Sequence, residues 1–246
     1  MQRYFLAEDA GLNERFTIQS ADDVHHIKNV MRSSAGDQII VNFRNGVYVC
    51  RLTAVDSSVE VEATEALDIT TELPVDVTIA SGLLKNDKYE WMIQKATELG
   101  AAHFIPFVSE RTIIKVDQKK MEKRLERFNK IVKEAAEQSY RRHVPTVTFQ
   151  PGSKALAELT VDYDQVLVAY EEEAKAGETK KFHAALKSMA PGTRVLIIFG
   201  PEGGLSAAEL EIFGGRTIGL GPRILRAETA PLYALSAVSY FFELMV

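Results

Sequence analysis

Ile197-Ile198-Phe199-Gly200-Pro201-Glu202-Gly203-Gly204-Leu205-Ser206-Ala207-Ala208-Glu209 is the stretch whose reading decides the fold. With Val195-Leu196 before it, it begins as a continuous apolar run, the pattern of a parallel strand buried on both faces. The run ends in a glycine-rich turn. Ser206 to Glu209 then reads S-x-x-E, a capping box that starts a helix. Open α/β sheets bind ligands just outside the carboxyl ends of such strands. Gly200, Gly203 and Gly204 carry no Cβ, so the backbone there can approach a flat ligand closely. The turn is neither a G-x-G-x-x-G fingerprint nor a P-loop, because no Lys-Ser/Thr follows, and dinucleotides and triphosphates are disfavoured.

Downstream, Thr217-Ile218-Gly219-Leu220-Gly221-Pro222-Arg223-Ile224-Leu225-Arg226-Ala227-Glu228-Thr229-Ala230-Pro231 repeats the arrangement. A short strand ends in Gly-Pro, and the turn carries two arginines and a glutamate. A helix follows, expected to be capped by Thr229 with Pro231 in its first turn. Leu232, Leu235, Val238 and Phe242 are its inward face. Charged residues in such a turn are ordinarily surface ion pairs, but two glycine-rich strand ends so close in sequence imply a shared pocket.

Upstream, strands and helices alternate from Val75, which argues for an open parallel sheet. Val75–Ala80 and His103–Phe107 read as strands, as does Val166–Ala169. Asp87-Lys88-Tyr89-Glu90 is a D-x-x-E box before a helix whose inward residues are Tyr89, Met92, Ile93, Ala96 and Leu99. Gly100 suits its left-handed end. A long helix carries Met121, Leu125, Phe128, Ile131, Val132 and Ala135 on one face. Glu171-Glu172-Glu173 reads as a solvated turn, and Trp91 as core or subunit interface. Residues 1–72 are different. Gln38–Phe43 and Val47–Leu52 flank Arg44-Asn45-Gly46, a hairpin signal, and Val59–Ala63 alternates with period two. Asp22–Met31 reads as a short helix stopped by Ser33-Ser34-Ala35-Gly36. The division expected is a small β-barrel-like domain at 1–72, an acidic linker ending near Pro74, and an α/β domain at 73–246.

Composition sets the outer bounds. Hydrophobic residues make up 46% of the 246 and charged residues 26%, an ordinary globular balance. One cysteine, Cys50, excludes an internal disulfide and a cysteine-rich zinc site. No apolar run approaches the roughly 18 residues of a membrane span, so a cytoplasmic address is expected. The net charge of −5 hides an uneven distribution. No basic residue lies between Arg51 and Lys85, whereas Arg111–Arg142 holds 11 Lys/Arg against 5 Asp/Glu. Local fields steer a polyanion, though a solvated helix face explains the same run. His25-His26 lacks further ligands nearby, so no metal is expected.

The two glycine turns together resemble the C-terminal motifs of the SPOUT methyltransferases, and more narrowly the ribosomal RNA small subunit methyltransferase E family. The likeness covers essentially the whole chain. It includes Arg3-Tyr4-Phe5, His25-His26 with Val30 and Arg32, Leu84-Lys85, Lys95–Gly100, Ser109-Glu110-Arg111 and Glu134–Ser139. Met31 stands where leucine is commoner, a swap that conserves volume. The resemblance implies a PUA-like RNA-binding domain, a parallel sheet with a C-terminal trefoil knot, and a homodimer. It also implies 3-methyluridine formation in 16S rRNA with S-adenosylmethionine held by Phe199, Gly200, Gly203, Leu220, Gly221, Leu225, Thr229 and Ala230. RNA contact falls to Arg3, His25, His26, Arg32, Lys85, Arg111, Arg141 and Arg142.

The chemistry narrows the catalytic residues. N3 of uridine is an imide nitrogen between two carbonyls, and its lone pair is tied up until the proton leaves. Transfer therefore wants that proton removed and the charge developing on the oxygens stabilised. Arg226 offers a planar fork that cannot lose its own proton. Glu228 or Glu202 holds the arginine or relays the proton. A sulfonium supplies the leaving group, so no metal is required. Other RNA targets, a non-catalytic RNA-binding assembly factor and a nucleotide-dependent oxidoreductase remain alternatives.

Overall fold

The computed structural model describes residues 1–113 and 117–245, which form two compact units. Lys115 of the basic run lies outside the described residues. The first unit is Met1–Thr71 together with Glu137–Val144; the second is Glu72–Ala136 with Pro145–Val246.

The first unit is a five-stranded sheet. It contains β1 (Arg3–Phe5), β2 (Arg15–Ile18), β3 (Gln38–Asn42), β4 (Val47–Val55) and β5 (Val59–Leu67), in the order β1-β3-β4-β5-β2. β3 and β4 pair antiparallel across the Asn45-Gly46 turn, and β1 joins β3 in parallel. The alternation in β5 buries Val59, Val61 and Ala63 against Ile39, Val41, Phe43, Cys50 and Leu52. Register shifts at Val49/Cys50 and Leu52/Ala54 bend the β4–β5 ribbon. The short helix is α1 (Ala21–His25), capped by Ser20, and it continues as a π-turn from His26 to Val30.

The second unit is a parallel sheet of six strands with helices between them. In chain order these are β6 (Asp76–Gly82), α2 (Lys88–Glu98), β7 (His103–Phe107), α3 (Gln118–Gln138, whose last two residues belong to the first unit), β8 (Thr146–Val147) and α4 (Ser153–Glu158). Next come β9 (Gln165–Ala169), α5 (Glu171–Lys175), α6 (Lys181–Lys187), β10 (Arg194–Phe199), α7 (Ala207–Phe213), β11 (Arg216–Ile218) and α8 (Ala230–Ser239). The strand order is β11-β9-β10-β6-β7-β8. β10 is central, and Val195 to Phe199 are buried throughout, as its unbroken apolar run requires.

Two expected caps do not form. Asp87 occupies the N-cap of α2 without a side-chain bond, and the Glu90 carboxylate, the other half of its box, pairs with Arg127 at 2.5 Å. Thr229 precedes α8 in helical geometry and its hydroxyl caps nothing. The Ser206–Glu209 box is complete. Glu171-Glu172-Glu173 is not a turn but the opening of α5, where acidic side chains suit a helix N-terminus. Trp91 is 47% exposed, so it is not core.

Candidate active site

Parallel register places the site. Phe199 of β10 lies opposite Ala169 of β9, and Ile218 of β11 opposite the same Ala169. Three neighbouring strands therefore end at one level, and the turns that follow them enclose a cavity of about 530 Å³. That volume lies within the range of small-molecule sites. Phe199, Leu220, Leu225 and Ala230 supply apolar wall, and Gly200 and Gly203 supply bare backbone. Arg226 and Glu228 line the same cavity, as do Lys88, Tyr170 and Glu171.

The first glycine turn is tightly closed. A Cβ on Gly200 would stand 2.7 Å from the carbonyl carbon of Gly204, and one on Gly82, at the end of β6, 2.6 Å from Pro201 Cδ. Gly204 has φ +70°, and Glu171 Oε1 fills the space where its Cβ would point. At Gly200 backbone packs against backbone and leaves no side chain to move aside, whereas at Gly204 it is the positive φ that favours glycine.

A buried carboxylate anchors this turn. Glu209 Oε2 accepts from the Ser206 amide (2.9 Å) and the Ser109 hydroxyl (3.1 Å). Its Oε1 accepts from the Glu110 amide (3.0 Å) and the Ser153 hydroxyl (2.5 Å). Burial works against its charge, but these four donors outweigh it and hold the carboxyl below its ordinary range. One side chain thus ties the loop after β7, the start of α4 and the start of α7 together.

On the opposite wall, Lys88 Nζ lies 3.1 Å from Glu228 Oε1. Burial resists ionisation of Glu228, yet its own main-chain amide, Lys88 and Arg226 together keep its carboxyl below the usual value. It is therefore a carboxylate at neutral pH. Glu202 accepts the Lys85 amide at 3.2 Å and lines the same cavity.

This chain resembles known proteins along its whole length. The model of an RNA methyltransferase domain matches residues 71–239, and that of an RNA methyltransferase PUA domain matches residues 20–63. Ribosomal RNA small subunit methyltransferase E of Bacillus subtilis is 50% identical over 253 residues, covering 100% of this chain and 98% of that protein. The chain belongs to the ribosomal RNA small subunit methyltransferase E family. Among solved structures, the methyltransferase E of Neisseria gonorrhoeae bound to S-adenosyl methionine is 28% identical with a TM-score of 0.84, over 98% of both chains. A putative methyltransferase of Legionella pneumophila in complex with the same cofactor is 25% identical, TM-score 0.81, over 96% of both.

In this methyltransferase the residues expected from sequence sort into three groups. Phe199, Gly200, Gly203, Leu220, Leu225, Arg226, Glu228 and Ala230 share the cavity wall. Gly221 and Thr229 are not wall residues. Gly221 takes φ +87° in the turn, and the Thr229 amide donates to Arg226 O at 2.9 Å, so both shape the turn from behind. Of those expected at RNA, His25, Arg32 and Lys85 are exposed, and His26 is half-buried with Nδ1 3.0 Å from the Tyr4 hydroxyl.

Arg3 and Arg141 correct the expectation. They are 3% and 2% exposed, too deeply buried to meet a phosphate. Arg3 donates to Tyr140 O at 2.5 Å and lies over the Tyr140 ring, while Asn42 donates to Arg141 O at 2.8 Å. Arg142 donates to Phe43 O (2.7 Å) and Arg44 O (3.1 Å). These contacts bind Glu137–Val144 into the first unit. Arg111 is exposed, but its Nη1 donates to Gly203 O at 3.0 Å, so it steadies the first glycine turn. Lys88, Tyr170 and Glu171 were not singled out from the sequence. For Tyr170 and Glu171 the signal was the C-terminal end of the Val166–Ala169 strand, which by the strand-end rule also borders a ligand.

Proposed function

We propose that this protein transfers a methyl group from S-adenosylmethionine to N3 of a uridine in the 16S rRNA of the small ribosomal subunit, working as a homodimer. The observation that carries this reading is the cavity at the strand ends, where Arg226 and the ionised Glu228 stand beside bare glycine backbone and apolar wall. Membership of the methyltransferase E family supports the rRNA substrate and the cofactor. Among the described residues no helix is long and apolar enough to cross a membrane, and our reading puts the enzyme in the cytoplasm with the ribosome.

The residues fit the cofactor. The purine and its sugar need a flat, mostly apolar slot with close backbone approach, which Phe199, Leu220, Leu225, Gly200 and Gly203 offer. Gly221, Thr229 and Ala230 would hold the second turn in shape around it. Bound there, S-adenosylmethionine supplies an electrophilic methyl on a positive sulfur. The two glycine turns and the Leu225–Pro231 segment would be the crossing strands of a trefoil knot. Arg226 is exposed on the wall, free to fork onto the uracil oxygens as the N3 proton leaves. Glu228 lies close enough to Arg226 for the two charges to interact.

RNA would be gripped by His25, His26 and Arg32 in the first unit and by Lys85 and the basic positions of α3 in the second. Trp91 on α2 and Tyr233 on α8 are exposed aromatics on two helices that pack together, a face suited to a second copy. Mass mapping of nucleosides in 16S rRNA tests the reaction. Cells lacking the protein should lose 3-methyluridine, and the purified enzyme should restore it; its persistence in those cells would sink the proposal.

A further inference from the structure

Glu228 is 9% exposed, and its two oxygens are treated differently. Oε1 is paired with Lys88, while Oε2 is buried with no hydrogen-bond partner among the described residues. A buried acceptor without a donor is costly, and a water or a ligand must supply one. Glu228 lines the cavity, and so does Lys88, which opens α2 immediately after Asp87. The lysine therefore holds the carboxylate in the cavity wall by one oxygen, and no group among the described residues satisfies the other.

We infer that Lys88 is a positioning residue that holds the Glu228 carboxylate toward the N3–H of the substrate uracil, so that Glu228 receives this proton during methyl transfer. The inference rests on the reaction proposed above. The N3–H bond breaks and its proton passes to the Glu228 carboxylate. The electron pair left on N3 forms the new bond to the methyl carbon. The pair of the broken carbon–sulfur bond stays on sulfur, which loses its positive charge. An imide proton is far less acidic than a carboxylic acid, so Glu228 needs help to take it. Arg226 gives that help by stabilising charge on the uracil oxygens as the proton leaves.

The other charged groups of the cavity are Arg223, Glu202, Glu171 and Lys175. Lys88 is the one in contact with the carboxylate, so its removal should make Glu228 harder to ionise. The acid limb of the rate profile then moves to higher pH. The test compares wild type, Lys88→Met and Lys88→Arg in single-turnover methylation across pH, with S-adenosylmethionine affinity measured by calorimetry. The methionine variant should be about 10- to 100-fold slower at neutral pH, less than the roughly 10²–10⁴ attributable to the acid–base group itself. Its acid limb should shift upward and its cofactor affinity should change little. Arginine should restore most of the rate and the limb.

A second readout needs no turnover. The carbon-13 carboxyl titration of Glu228, assigned with Glu228→Gln, should move to higher pH in ligand-free Lys88→Met. An unmoved titration and acid limb in that variant, with wild type active on uridine, would overturn the inference alone. Wild-type enzyme that leaves uridine N3 unmethylated would overturn the reaction beneath it.

Discussion

Two sets of arginines divide the molecule. In the second unit Arg223 and Arg226 follow a Gly-Pro turn, stay exposed, and line a cavity with a carboxylate for company. In the first unit Arg3, Arg141 and Arg142 lie in or beside the sheet; Arg3 and Arg142 donate to main-chain carbonyls, and Asn42 fastens the Arg141 carbonyl. The residue type is the same and the sequence context equally basic. What separates them is where the donors are committed. A guanidinium used up on backbone oxygens holds a segment in place, whereas one left open beside a cavity can answer charge that appears only during a reaction.

The sharpest way to break that division is Arg226→Ala. If Arg226 serves the transition state, its loss should cost about 2.7–4 kcal/mol, roughly 100- to 1,000-fold in single-turnover rate. RNA and cofactor affinities should stay near wild type, because neutral uracil gives the arginine only ordinary hydrogen bonds. Lysine should rescue in part. Normal saturated rates with weakened binding would make Arg226 another anchor and collapse the distinction.

The frame around the cavity comes next. Gly200→Ala forces a Cβ to within 2.7 Å of Gly204 backbone, which cannot rotate away. Overpacking of this kind costs about 1–3 kcal/mol, or roughly 5- to 150-fold in affinity if the loss falls on the cofactor turn. Gly152→Ala is the control, since its Cβ would meet nothing within 4 Å and its φ of −173° suits any residue. Calorimetry with S-adenosylmethionine should separate the two variants. Equal affinities would remove Gly200 from the frame.

The strand ends were legible because an unbroken apolar run followed by glycine, proline and a capping serine has few other readings. Ser206 and Glu209 did form their box. Their environment was not legible: nothing in S-x-x-E says that Ser109, Glu110 and Ser153 also converge on that carboxylate. Lys88 and Glu171 stayed hidden for a related reason. Parallel register sets both Ala169, before Glu171, and Ser81, on the strand before Lys88, beside Phe199, a relation between residues far apart in the chain. The Asp87 box did not form, and Glu90 has a cationic partner, Arg127, on another helix. Arg141-Arg142 reads as a basic surface pair, and only the tertiary fold shows one of them sealed inside the first unit.

That last point turns into a test of the first unit. Replacing Arg141 and Arg142 together with alanine should lower stability by about 1–3 kcal/mol through lost hydrogen bonds and unsatisfied carbonyls. The slope of RNA affinity against salt should change by less than one phosphate contact. A flatter slope at unchanged melting temperature would return the pair to the RNA surface. The same packing argues against removing residues 1–74 to test RNA binding, because Glu137–Val144 would lose the sheet it folds with. Point changes at Arg32 and Lys85 are the cleaner probes.

The smallest expected effect sharpens the comparison from the acid side. Glu209 is a buried anion held by neutral donors, whereas Glu228 has cations beside it. Both carboxyls are depressed in the folded protein, so each contributes stability that is fully present above the unfolded carboxyl value, about 4.3. That contribution is lost as pH falls through the lower folded value. A folded group that has released its proton while the unfolded group still holds one adds a slope of at most about 1.4 kcal/mol per pH unit. Glu209→Gln abolishes the titration, so stability measured between pH 5 and about 3 should fall less steeply with acid than in wild type. The variant is also weaker at neutral pH, since an amide has one acceptor oxygen for donors that now meet two. Lys88→Met should flatten the same region through Glu228, because the cation that depresses its carboxyl is gone. The two effects should add, as the two carboxylates share no hydrogen-bond partner. Parallel acid slopes in Glu209→Gln and wild type would show that the serine and amide donors stabilise the neutral acid as well as the anion, and the anchor of the glycine turn would then owe nothing to charge.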